Sequence, residues 1–290
     1  LTMTYQIDIV SRIQERFATL RKSEQKVASV ILEDLSFAAS ASITELAARA
    51  GVSEASITRV AKGVGVKNVR DLKMQLAQSI AVGERFINAD TVQPTAVSDV
   101  YDTIKKALDL NNGLISNEVL NKCSEQIIQA NKLLIIGVGG GSTIMAQECE
   151  NRLFRLGVNA ITCSDPMMMR MRASAVDVGD VVLCLSLSGF SPDIAEAALV
   201  AKQYGAKVIV ISPEFTELFT IADIHIPIVL CETDYIYKPS ATRYVMMAAI
   251  DVIATDIAVK TQDTTREKLR RIKHNLDLHR KGHKYLPLGD

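Results

Sequence analysis

Two short runs of glycine and serine hold the side chains of this sequence best suited to gripping an anion. The first reads Gly137-Val-Gly139-Gly-Gly-Ser142 and the second Ser186-Leu-Ser188-Gly189-Phe-Ser191. Hydroxyls donate hydrogen bonds, and glycine lets the backbone come close enough for its own N–H groups to join them. Where such a turn also opens a helix, the unpaired N–H groups of the first helical turn add partial positive charge. This combination suits a phosphate and needs neither a metal nor a cofactor. Ser142, Ser186, Ser188 and Ser191, with N–H groups around Gly139 and Gly189, are the candidate ligand-binding residues.

Each run follows an apolar stretch, Leu133 to Ile136 and Val181 to Leu187, and leads into a helical pattern, Ser142 to Leu156 and Pro192 to Tyr204. Further strands are expected at Asn159–Cys163, Lys207–Ile211 and Ile224–Leu230, and helices after Ser116 and over Ser240–Lys260. Such alternation predicts an α/β domain, with a parallel sheet flanked by helices and a ligand crevice outside the carboxyl ends of the strands. Neither run is a dinucleotide fingerprint, because Ser142 stands where the third glycine belongs, and no Gly-Lys-Ser/Thr marks a Walker loop. Taken together the two runs resemble the sugar isomerase (SIS) domain, a phosphosugar-binding module. The segment Asp165–Arg172 follows the second strand and is expected beside the sugar side of the crevice, where Arg170 and Arg172 face either an acidic sugar or solvent. Lys238, ahead of the last long helix, is a further candidate contact.

The first eighty residues are of a different kind. They lack proline, repeat apolar residues at helical spacing, and hold 11 Lys/Arg against 8 Asp/Glu in a chain whose net charge is zero. Within them, residues 42–62 read as a helix-turn-helix. Leu46, Ala47, Ala50 and Val52 supply an apolar face, Gly51 ends the first helix, and Ser53 stands where it would N-cap the second. The second helix of such a motif lies in the major groove of DNA. This makes Ser53, Glu54, Ala55, Ser56, Thr58, Arg59 and Lys62 the candidate DNA-binding residues, with Arg59 on the groove side.

A helix-turn-helix ahead of a SIS-like domain resembles the RpiR-type bacterial transcriptional regulators of sugar catabolism. Leu20-Arg-Lys-Ser-Glu-Gln-Lys-Val-Ala28, Ile43-Thr-Glu-Leu-Ala47 and Gly51-Val-Ser-Glu-Ala-Ser56 carry the N-terminal part of that resemblance. Lys238–Arg243 and Asp251–Asp256 look closest to the family's hexose and sugar-acid repressors. The resemblance implies a DNA-binding domain over 1–83, a linker and connecting helix over 84–115, and a sugar-phosphate-binding domain over 116–290. It further implies double-stranded operator DNA and a phosphorylated sugar or sugar acid as partners, a homodimer or tetramer, and no enzymatic activity. The alternative is a sugar-phosphate isomerase with an accessory helical domain. That chemistry needs a general base, for which Glu148, Glu150, Glu232 and Asp234 are the formal candidates.

Five cysteines in apolar settings, with no C-x-x-C spacing, point to a reducing cytoplasm. No signal-peptide pattern is visible, and the longest apolar run, Val245–Ala258, is broken by Asp251 and Asp256, so no membrane partner is expected. The spacing of His225, His274, His279 and His283 is not that of a zinc site.

Overall fold

The computed structural model describes residues 8–87, 97–231 and 240–279. They fall into two compact units on either side of residues 88–96. Among the described residues no helix is long and apolar enough to cross a membrane.

The first unit is all helical: α1 (Ile9–Arg16), α2 (Lys22–Glu33), α3 (Leu35–Ser40), α4 (Ile43–Ala50), α5 (Glu54–Gly63) and α6 (Val69–Ile87). Local chemistry sets its boundaries. The Asp8 carboxylate accepts the Val10 and Ser11 N–H groups at the start of α1. Ser42 and Glu45 close a reciprocal capping box at the start of α4. Gly51 ends α4 at φ +62°, in the left-handed region that favours glycine, and thereby turns the chain into α5. One apolar cluster unites the unit, with Ile13, Val27, Ile31, Leu46, Ile57, Val60, Leu72 and Leu76 buried in it.

The second unit begins with α7 (Val97–Asn111) and α8 (Asn117–Gln129). The chain then alternates through β1 (Leu133–Ile136), α9 (Gly140–Leu156), β2 (Ala160–Cys163), α10 (Pro166–Ala173), β3 (Val181–Leu185), α11 (Pro192–Gln203), β4 (Lys207–Ser212), α12 (Glu217–Ile221) and β5 (Ile224–Pro227). Two helices follow, α13 (Thr242–Lys260) and α14 (Gln262–His279). The strands form one parallel sheet in the order β2-β1-β3-β4-β5. Their side chains alternate between faces, as the pleat requires. Leu133, Ile135, Leu183 and Ile209 pack with α8, α9 and α13, while Leu134, Ile136, Val182 and Val210 pack with α10, α11 and α12. Both faces are covered, which explains why these strands read as unbroken apolar runs.

Two strands end two or more residues earlier than expected. The third strand ends at Leu185 rather than Leu187, which releases Ser186 and Leu187 into the loop. The fifth ends at Pro227 rather than Leu230. There the Asn111 side chain takes both backbone groups of Val229, accepting its N–H at 2.7 Å and donating to its carbonyl at 3.2 Å, as a neighbouring strand would.

Candidate functional site

In the sheet order the chain winds outward in opposite directions from β1 and β3, so the crevice between their carboxyl ends is the switch point where open α/β sheets bind ligands. Both serine loops lie there. Gly139 precedes α9 at φ +83°, and Ser142 sits in the first turn of that helix, 7 % exposed. Its Oγ accepts the Leu187 N–H at 3.3 Å, tying the loop after β1 to the loop after β3. No described residue accepts a hydrogen bond from the Ser142 hydroxyl, so its proton is available to a ligand oxygen.

In the second loop Ser186 is 1 % exposed. Its Oγ accepts the Gly189 N–H and lies 3.0 Å from the Ser191 Oγ. Ser191 occupies the N-cap position of α11 without bonding a helix N–H, so Ser186 claims the hydroxyl that a cap would have used. Ser188 is exposed and bonds only locally, accepting the Phe190 N–H at 3.2 Å. Gly189 is required twice over. Its φ is +74°, and a Cβ there would stand 2.4 Å from the Thr216 methyl group. The loop after β3 therefore rests against the start of α12. Lys238 lies outside the described residues.

Beyond β2, α10 carries Met167, Met168 and Met171 exposed, with Met169 alone of its methionines in the core. Arg170 turns to α11, its Nε donating to Glu196 at 3.0 Å and its guanidinium 3.4 Å from Asp193. Burial pushes the Cys123 thiol up to about 12 and raises Cys149 and Cys184 as well.

In the first unit, α5 presents Ser53, Glu54, Ala55, Arg59 and Lys62 at the surface, with Thr58 half-buried. Ser56 does not face outward as expected. It sits next to Ile57 and four residues before Val60, on the inner side of the helix, and is 2 % exposed. Ser53 holds the N-cap position but makes no cap bond; its Oγ lies 3.2 Å from the Ser56 Oγ. The Arg59 guanidinium is also engaged within the unit, donating to Ser56 Oγ at 2.8 Å and to Glu24 on α2 at 3.2 Å. Glu54 accepts from the Thr44 hydroxyl at 2.6 Å, fastening α5 to α4. At the far end of α5, Arg12 donates to the Val64 carbonyl at 3.2 Å and Arg16 to the Gly63 carbonyl. Two cations thus meet the negative end of the helix dipole and leave its positive end facing away from them. Sequence reasoning missed Arg12, Arg16 and Glu24 because nothing local marks them as partners of α5.

Comparison with known proteins agrees with this division. Residues 7–83 match the helix-turn-helix domain of the rpiR family, and residues 126–256 match the SIS domain. The chain is similar to the HTH-type transcriptional regulator HexR of Pseudomonas aeruginosa, 30 % identical over 93 % of this chain and 95 % of that one. It is 28 % identical to HexR of Escherichia coli, over 98 % and 99 % of the two chains. Among solved structures, the Vibrio vulnificus NanR protein complexed with ManNAc-6P shares the fold, with a TM-score of 0.57 at 22 % identity over 91 % of this chain and 97 % of that one. The sugar isomerase domain of an RpiR transcription factor from Sphaerobacter thermophilus matches 61 % of this chain and 97 % of its own, with a TM-score of 0.56 at 16 % identity. An rpiR-type helix-turn-helix joined to a SIS fold, and likeness to DNA-binding regulators along nearly the whole length, place this chain in the RpiR family of transcriptional regulators and make it a regulator rather than an enzyme.

Proposed function

We propose that this regulator controls genes of sugar or sugar-acid catabolism and that a phosphorylated sugar or sugar acid, held by the two serine loops, sets its affinity for operator DNA. The observation that carries the reading is the joining of the two serine loops at the switch point between β1 and β3, where Ser142 accepts the Leu187 N–H and Ser186 accepts the Gly189 N–H and meets Ser191. Phosphate oxygens accept from hydroxyls and backbone N–H groups, and the first turn of α9 adds its dipole. The NanR structure, with its bound ManNAc-6P, supports this class of ligand for the fold.

At the other end of the chain, the early residues of α5 read the major groove. Ser53, Glu54, Ala55 and Thr58 lie nearest the bases, and Lys62 contacts a phosphate. Two copies of the chain in a homodimer, or a pair of dimers, engage half-sites about 34 Å apart or a multiple of that. The protein works in the cytoplasm, where both DNA and phosphorylated sugars are found. Effector and operator each favour one of two arrangements of the protein, so each changes the other's affinity by the same factor.

The test is fluorescence anisotropy of a labelled operator fragment with the purified full chain, titrated with a panel of phosphorylated hexoses and sugar acids. At least one is expected to shift the operator Kd by roughly 5-fold to 150-fold, the usual range of allosteric coupling. A panel in which no member moves the Kd at millimolar concentration counts against the reading.

A further inference from the structure

Arg12, Arg16, Arg49 and Arg59 all turn their charge into the first unit. Arg12 and Arg16 meet the end of α5, and Arg59 bonds Glu24 and Ser56. Arg49 donates to Asp34 at 3.1 Å, with its guanidinium 4.3 Å above the Phe37 ring. Arg70, in the first turn of α6, is different. It is exposed, and its side chain makes no ion pair or hydrogen bond with any described residue.

A second cation stands beside it. Lys73 is one turn further along α6, and residues so spaced share a helix face with their Cβ atoms about 5–6 Å apart. The Lys73 ammonium donates to the Ser40 carbonyl at 3.3 Å. Ser40 ends α3, and Ser42 already caps α4, the first helix of the helix-turn-helix, so Lys73 lies at the corner where that motif begins. An ammonium has three donors, and Ser40 takes one of them. The acid of this turn faces elsewhere. Asp71 accepts the Lys67 N–H at 2.9 Å and the Gln75 amide at 3.0 Å, and Gln75 in turn accepts from Arg12 on α1. Glu45, the carboxylate nearest Lys73 on α4, is folded onto its own backbone and accepts the Ser42 N–H at 2.7 Å. That bond holds its carboxyl below the usual range, the Ser42 hydroxyl and the Lys73 charge adding to the effect. The start of α4 is therefore closed by its own carboxylate, and the open positive charge at this corner belongs to α6.

Resting on the reading of α5 as the groove helix, we infer that Arg70 and Lys73 form a phosphate clamp on the DNA backbone, supplied by α6 from outside the helix-turn-helix. The first helix of such a motif crosses the sugar-phosphate backbone while the second enters the groove. With Lys73 fixed at the start of α4, the two α6 cations stand on that crossing. The Arg70 fork and the two remaining Lys73 donors take phosphate oxygens, on one phosphate or on two neighbours of the same strand. The division of labour follows from the bonding: Arg59 braces α5 from within the unit, and the cations of α6 hold the backbone.

The experiment follows binding of the full chain to a random-sequence DNA duplex of about 30 base pairs by fluorescence anisotropy across a salt series. Binding without sequence preference is carried by phosphate contacts, so no operator is needed. Arg70→Gln and Lys73→Gln should each flatten the slope of log K against log salt by about 0.9. Between about 200 and 50 mM salt, each variant should therefore gain about 3.5-fold less affinity than the unmodified protein. Arg70→Gln should leave the melting temperature unchanged, because the side chain has no partner to lose. Lys73→Arg keeps the charge and should keep the slope, whereas a merely structural Lys73 would lower the melting temperature in Lys73→Gln and leave the slope alone. Lys105→Gln, which removes an exposed cation of α7, is the control for net charge and should not change the slope. An unchanged slope in either glutamine variant of α6, a flattened slope in Lys73→Arg, or equal flattening by Lys105→Gln overturns the clamp. The two readings fail separately. If the unmodified protein does not bind the duplex at the lowest salt, the groove reading of α5 fails and the clamp with it; if it binds and the α6 variants keep its slope, the clamp alone is refuted.

Discussion

Arg59 offers two incompatible roles, and the structure makes them separable. Its guanidinium donates to Glu24 at 3.2 Å and to Ser56 Oγ at 2.8 Å, which fastens the recognition helix α5 to α2. The Glu24 side chain is only 10 % exposed, against 45 % for Arg59. A solvent-exposed pair contributes under about 1 kcal/mol, whereas removing the cation from a fully buried pair costs about 3–5 kcal/mol. Glu24 would still keep the Arg21 N–H at 3.1 Å. We therefore expect Arg59→Ala to destabilise the first unit by about 1–2 kcal/mol, between those limits. Glu24→Gln, which keeps the shape and removes the charge, should have a similar but smaller effect. The decisive assay is operator binding across a salt series. If Arg59 is a strut, both variants weaken binding and the slope of log K against log salt stays unchanged. If it grips a phosphate, Arg59→Ala flattens that slope by about 1. A flattened slope in Arg59→Ala, together with unaltered operator binding in Glu24→Gln, would refute the strut.

Three further outcomes follow from the second unit. The Ser186→Ala/Ser188→Ala double variant should lose two or more orders of magnitude in effector affinity by calorimetry, at about 1.5–3 kcal/mol per hydrogen bond to the phosphate, while still binding operator DNA. Gly189→Ala should destabilise the second unit by more than about 1 kcal/mol in urea unfolding, because the new Cβ combines a strained φ with a clash against Thr216. A Gly189→Ala protein as stable as the original would show that the loop can shift away from α12. His225, whose Nε2–H donates to the Ser212 carbonyl at 2.9 Å, has its pKa lowered by burial from the ordinary 6.5. With the folded value below the unfolded one, its contribution is complete above about pH 6.5 and is lost as pH falls through the folded pKa. Thermal melts of His225→Gln should be less sensitive than the original to acid below pH 6.5.

What could be read from the sequence was what repeats or what a single residue type dictates. The spacing of Leu46, Ala50, Ile57 and Val60 gave the buried faces of two helices, and Gly51 marked the turn between them. Apolar runs followed by Gly and Ser located β1, β3 and the crevice at their ends. What remained hidden depends on partners distant in the chain. Ser56 looked like a base-reading residue because its inward direction is fixed by the packing of α5, and Arg59 looked free because Glu24 lies 35 positions away. The strand at Ile224 appeared longer than it is because its end is set by Asn111, 118 residues earlier. Arg170 and Arg172 were indistinguishable by type and spacing. Only the fold assigns Arg170 to Glu196 and leaves the Arg172 Nε without a hydrogen-bond partner among the described residues.

The serines of the crevice are structural members as well as the proposed ligand donors, and this bears on how such a sensor would evolve. Ser142 joins two loops through Leu187, while Ser186 holds Gly189 and Ser191 in place, both serines being buried. A mutation that deafens the protein to its effector at either position also loosens the domain, so selection for an intact fold guards the sensing function even where the effector is scarce. Ser188, exposed and bonded only to its own loop, carries no such insurance. Drift toward a new effector has its cheapest first step there, and duplicated copies of this gene should diverge at Ser188 before they diverge at Ser142 or Ser186.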